Sequence, residues 1–131
     1  MVHARGLTAE DLRDRLRTAT ATVTTASGYI FTSNTPAYVT RYIVDILVTH
    51  VSGGAEALNR LDLTAVEHGT PRPLATNFAV ASGQSRYVGG GSLDPLRPAF
   101  IVGGSGNVSA RTLASGQQAV LTVFYYDSEL F

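Results

Sequence analysis

The chain has 131 residues, no cysteine, and ten arginines against ten acidic side chains, with no lysine. The missing thiols exclude disulfide scaffolds, thiolate metal sites and cysteine nucleophiles, and the balanced charge removes the basic footprint of an ordinary nucleic-acid binder. No window of about 18 apolar residues is present, so no membrane-spanning helix is expected, and the length is a prior for one domain with a real core.

The N-terminus predicts a short helix, Leu7 to Arg17. Thr8 stands at the N-cap with Asp11 three residues on, and Glu10 and Asp11 precede Arg13, Arg15 and Arg17, as the helix dipole favours. Its apolar face is little more than Leu12 and Leu16, too thin to hold a helix without docking. No apolar run of about 7–15 residues follows Met1 to Gly6, so no secretory signal is expected.

The period then changes. Thr18 to Thr25 alternates hydroxyl and small apolar residues, which is strand chemistry. Ser27-Gly28 predicts a turn, Tyr29 to Thr32 a short strand, and Ser33 to Pro36 a loop. Tyr38 to Val51 is the strongest strand. Strict alternation places Tyr42, Val44, Ile46 and Val48 toward the core, and Arg41, Ile43, Asp45, Leu47 and Thr49 on the other face. After Ser52-Gly53-Gly54, residues Ala57 to Glu67 form the return strand, with Leu61, Leu63 and Ala65 inward. The prolines at 71 and 73 make His68 to Leu74 a loop. Short strands follow at Asn77 to Ala81, Arg86 to Val88 and Phe100 to Val102, with Gly89 to Ser92 a mobile loop. Asn107 to Leu113 alternates with Val108, Ala110 and Thr112 inward. Gln118 to Tyr126 closes the chain and is apolar on both faces, as in a central strand or one covered by a partner.

Eight or nine short strands with turns every 8–12 residues predict a mainly β chain. The architecture is an antiparallel β-sandwich, jelly-roll or immunoglobulin-like, carrying one short N-terminal helix. Residues 1–17 form an arm or helix and 18–131 the sandwich.

Candidates for chemistry are sparse. His3, His50 and His68 are single, and Glu67-His68 is the one adjacent acid–imidazole pair. Asp45 and Asp62 lie on strands expected to be neighbours, with Arg41 and Arg60 beside them. They read as a cross-strand ion-pair ladder or, with Glu67, as the carboxylates of a small glycan hydrolase. The Gly89–Ser92 and Gly103–Gly106 runs lack the following lysine and helix of a phosphate cradle. No catalytic residue, cofactor or metal is therefore expected.

Residues Pro36 to His50, Pro-Ala-Tyr-Val-Thr-Arg-Tyr-Ile-Val-Asp-Ile-Leu-Val-Thr-His, resemble a strand common in small phage virion proteins. The likeness continues through Ser52-Gly53-Gly54, Leu58 to Val66, Pro95-Leu96, Gly106 to Ala110 and Val123 to Tyr126, about residues 18–126. It departs at His50, where asparagine is usual, and at the N-terminal helix. On these motifs the chain resembles the head-decoration, head-fibre and tail-associated β-sandwich proteins of tailed bacteriophages.

The resemblance implies a virion structural protein assembled in the host cytoplasm, a capsid-decoration or head-fibre-type subunit. It implies no enzymatic activity. Its partners would be further copies of itself and other virion proteins such as the major capsid protein, with no nucleic acid and no membrane. A carbohydrate- or receptor-binding module of a tail or fibre is the alternative. The expected interface comprises Leu12, Arg13, Leu16 and Arg17 on the arm and Phe124 and Tyr126 on the closing strand. The rival placement of the helix is folded back to plug one end of its own sandwich.

Overall fold

The computed structural model describes residues 8–26, 28–30, 35–67 and 69–128. They form helix α1 (Ala9–Arg13) and strands β1 (Arg17–Val23), β2 (Gly28–Tyr29), β3 (Arg41–Gly53), β4 (Leu58–Glu67), β5 (Thr70–Ala81), β6 (Ser85–Tyr87), β7 (Phe100–Val102), β8 (Asn107–Thr112) and β9 (Gln117–Asp127). Every strand pair is antiparallel. The first sheet runs β1-β9-β3-β6, with β7 also on β3; the second runs β2-β8-β4-β5.

The pairing is nested. β4–β5 is innermost, then β3–β6, β2–β8, and β1–β9 outermost. The chain is thus one long hairpin rolled over on itself, the winding of a jelly roll. The two sheets enclose a core that includes Val23, Ile43, Ile46, Val48, Leu121 and Val123 from the first and Leu61, Leu63, Ala65, Val80, Val108 and Ala110 from the second. The inward residues expected on β4 and β8 are all buried.

β3 departs from strict alternation. Its pairing with β9 steps from Ile43↔Tyr125 to Asp45↔Phe124, which leaves Val44 as an extra residue. Such a bulge locally breaks the period of two. Ile43, Ile46 and Val48 therefore all reach the inter-sheet core. Tyr42 and Val44 do not join it, as alternation alone would have them do. They belong to a second cluster with Leu12, Leu16, Leu93, Phe124 and Tyr126.

α1 is shorter than its sequence signal. Thr8 and Asp11 complete a capping box: Thr8 Oγ1 accepts from the Asp11 N–H at 3.1 Å, and Asp11 Oδ2 accepts from the Thr8 N–H at 3.0 Å. The Thr8 N–H first, and its hydroxyl second, hold the Asp11 carboxyl below the usual carboxylate range. The helix stops because β1 must open at Arg17 to pair with Tyr125. Leu7 lies outside the described residues, as do His3, His68 and the Phe31–Asn34 stretch.

Two expected loops differ from the structure. Residues 70–74 are not a loop but the start of β5, where Pro71 and Pro73 sit opposite Val66 and Thr64. An edge strand tolerates proline because its outward side needs no N–H donor. The Gly89–Ser92 segment is anchored rather than left mobile. Asp45, 1% exposed, accepts the N–H groups of Gly89 (2.7 Å) and Gly91 (2.8 Å) as well as that of Ile46 (2.7 Å). Glycine is required there: a Cβ on Gly89 would lie 2.9 Å from Asp45 Oδ1, and Gly90 and Gly91 have φ of 98° and 84°.

Asp45→Asn places an amide –NH2 against a buried N–H donor, so it should lower the unfolding free energy by about 1–3 kcal/mol. Urea denaturation reads that loss, and hydrogen exchange should quicken at the Gly89 and Gly91 amides. Unchanged stability with unchanged exchange would remove the carboxylate from this anchoring role.

Candidate functional site

The expected carboxylate pair is not assembled. Asp45 is on β3 in one sheet and Asp62 on β4 in the other. Each is held locally: Asp45 by the glycine loop, and Asp62 through Oδ1, which accepts the Asn77 N–H at 2.9 Å. The expected arginine ladder is also replaced. Arg41 binds Asp127 with both arms of its guanidinium, at 2.7 and 2.9 Å, in a buried pair lying 4.6 Å from the Tyr125 ring centroid. Arg60 pairs with Glu56 at 3.3 Å. Glu67 accepts from Arg72 through Oε1 and from the Gly103 N–H through Oε2, both at 2.7 Å, which ties β4 to the Gly103–Gly106 turn. Among the described residues, no group of three or more His, Asp or Glu side chains is placed to hold a metal ion. No helix among the described residues is long and apolar enough to cross a membrane.

A polar depression of about 270 Å³ opens on the outward face of the second sheet, lined by Asp62, Thr64, Ser109, Ala110 and Arg111. Its walls are two cross-strand pairs of β4 and β8, Asp62↔Arg111 and Thr64↔Ser109. Tyr29 on β2 occupies the next register position, opposite Ser109. Asn77, which donates to Asp62, has a φ of 52° where β5 bulges away from β4, and its Oδ1 accepts from Arg60 at 3.4 Å. Carboxylate, hydroxyl and guanidinium groups on one shallow face can hydrogen-bond a hydroxyl-rich ligand. The alternation along β4 and β8 places these side chains on one face. Joining Asp62 to Arg111 takes a pairing between residues 49 positions apart in the chain, counted from the register.

The residues expected at an interface meet one another inside the chain. Leu12 is fully buried and Tyr126 is 3% exposed, packed with Val44; Leu16 and Phe124 are half-buried on the same cluster. The outward face of β9 is therefore covered by the chain's own α1 and by the segment around Leu93 and Pro95, so Tyr126 is not an open self-association surface. The helix is thus folded back on its own chain, over the outer face of the first sheet. Of the six, Arg13 and Arg17 remain exposed. Among the described residues, the large apolar side chains that do face outward are Tyr38, Val51, Leu96, Ile101 and Leu113.

Tyr126 also carries an electrostatic signature. Its ring stacks on Tyr42 with centroids 5.2 Å apart, and its hydroxyl donates to the Pro95 carbonyl at 2.7 Å. Burial, with smaller contributions from Tyr42 and Asp94, raises its pKa above the ordinary phenol value. Comparison of the chain with protein-family models, with characterised proteins and with solved structures finds no match.

A phenol whose folded pKa is raised stabilises the fold fully below its unfolded pKa, near 10, and loses that contribution as pH rises through the folded value. Tyr126→Phe should lower stability at pH 8 by about 1 kcal/mol through the lost hydrogen bond, and its stability should fall less steeply above pH ~10. Urea titrations across that range measure both slopes; identical slopes would mean that Tyr126 does not titrate as a buried group.

Proposed function

We propose that this chain is a structural subunit of a tailed-bacteriophage virion. In this reading it is a capsid-decoration or head-fibre-type protein that binds the particle lattice and further copies of itself through protein–protein contacts and catalyses no reaction. The observation that carries the reading is the use of three buried or half-buried carboxylates. Asp45, Glu67 and Asp127 each clamp a loop or a strand end, so these acidic groups serve rigidity. Double-sheet jelly rolls house viral capsid and lectin domains, and the Pro36–His50 strand with its companion motifs resembles phage virion proteins. The fold alone does not choose among functions.

The polar depression favours a second reading, a glycan- or receptor-binding module of a tail or fibre. Its Asp62, Thr64, Ser109 and Arg111 groups offer the hydrogen-bonding chemistry that a sugar needs.

Mass spectrometry of density-banded particles from cultures that express the chain, together with glycan-array binding, separates these readings from one another. The structural reading expects the protein in many copies per particle, with no glycan affinity that Arg111→Ala abolishes. Absence from the particle would overturn it. Glycan binding that is lost on Arg111→Ala, together with a copy number confined to tail fibres, would establish the second reading instead.

A further inference from the structure

Every sheet has edges that must be guarded against unwanted pairing, and this molecule guards all but one of those described. β5 carries Pro71 and Pro73, and its register with β4 is twice interrupted. β6 and β7 have three residues each and β2 has two. The β7 edge is further occupied by Arg72, whose Nη2 donates to the Ile101 carbonyl at 2.8 Å.

β1 is different. It runs seven residues in unbroken register along β9, and no described residue pairs with its other side. From Thr18 to Val23 it holds no charge, no proline and no bulge. α1 does not shield it, because Leu12 packs over Val44 and Tyr126, on the face of the sheet and not at its edge. The strand ends cleanly where the Thr24 carbonyl turns to accept the Thr112 N–H of the opposite sheet at 3.0 Å.

We propose that β1 is a pairing edge for a second copy of this chain, joining the two first sheets into one continuous antiparallel sheet across a two-fold axis at Thr20. The occupant follows from the sequence of the strand itself. An antiparallel two-fold contact sets each residue opposite one on the same face. Strict Thr/Ala alternation then sets threonine against threonine outside and alanine against alanine inside. Centred on Thr20, the register pairs the residues from 18 to 22: Thr18 with Thr22, Ala19 with Ala21, and Thr20 with its own counterpart. The two Arg17 side chains fall at opposite ends of the ribbon, so like charges do not meet. The inference deepens the self-association in the structural-subunit reading but does not require a virion.

The chain has no cysteine, so single thiols report the register directly. In Thr20→Cys the two thiols face each other across the axis, with Cα atoms about 4.5–5.5 Å apart, within disulfide reach. In Thr18→Cys the like thiols lie four residues apart, about 13 Å along the strand, beyond that reach. With oxidised glutathione as oxidant, Thr20→Cys should cross-link at least about tenfold faster than Thr18→Cys or an exposed control, Ser92→Cys. An equimolar mixture of Thr18→Cys and Thr22→Cys should form the mixed disulfide. Thr20→Lys, which sets like charges opposite each other, should keep the circular dichroism of the native fold and sediment as monomer where the wild type sediments as dimer. Cross-linking of Thr20→Cys no faster than Ser92→Cys, or an unaltered dimer in Thr20→Lys, would overturn the edge. If the wild type stays oligomeric in that case, self-association runs through another surface and the structural-subunit reading stands. A wild type that is monomeric at all concentrations overturns the edge alone, since the virion measurement is independent of it.

Discussion

Val44 is one residue more than the pairing of β3 with β9 can seat, and the outward side of the first sheet depends on that surplus. Without the bulge, Val44 would point between the sheets and Ile43 away from them. With it, Ile43 joins Ile46 and Val48 in the inter-sheet core, while Val44 and Tyr42 make an apolar platform on the reverse side. α1 has a platform to dock on because of this exchange. The helix has five residues and could not stand alone; Leu12 and Leu16 on Val44, Phe124 and Tyr126 give it the burial it needs.

The same strand passes its polar groups to the neighbouring loops. Asp45 follows the bulge directly, and its two oxygens gather the glycine segment 89–91 that leads out of β6. At the start of β3, Arg41 grips Asp127 at the end of β9. At the other end of that pairing, buried Gln117 donates to the Leu58 carbonyl and to Glu56 and accepts from the Arg60 N–H, closing the sandwich there. The rolled hairpin is thus held at both ends by side chains that bridge distant stretches of chain.

Much of this was legible in the sequence where one strand's own pattern decided it. Leu61, Leu63 and Ala65, and likewise Val108, Ala110 and Thr112, alternate without interruption and are buried. Thr8 and Asp11 are three residues apart and their capping box is local. What remained hidden depends on partners far along the chain. The bulge at Val44 exists only relative to β9. Asp45 meets Gly89 across 44 positions and Arg41 meets Asp127 across 86. The prolines of β5 mark an edge strand only once β4 is known to lie on one side and solvent on the other. The two-faced apolar pattern of β9 pointed to a strand that is central or covered by a partner; β9 is central, between β1 and β3, and what covers its outer face is the chain's own helix and not a partner. The hydroxyl and charged residues of the depression were outward in pattern, and their convergence needed the β4–β8 register.

The placement of Val44 is the point on which this account turns, and methyl-labelled nuclear Overhauser spectroscopy of the intact chain measures it directly. Cross-peaks from the Val44 methyls to the Leu12 methyls and the Tyr126 ring, with Ile43 seen among core methyls such as Val102 and Val123, are the expected result. Val44 in contact with Leu61 and Leu63, and Ile43 with Leu12, would restore strict alternation and contradict the bulge, the docked helix and the anchored glycine loop together.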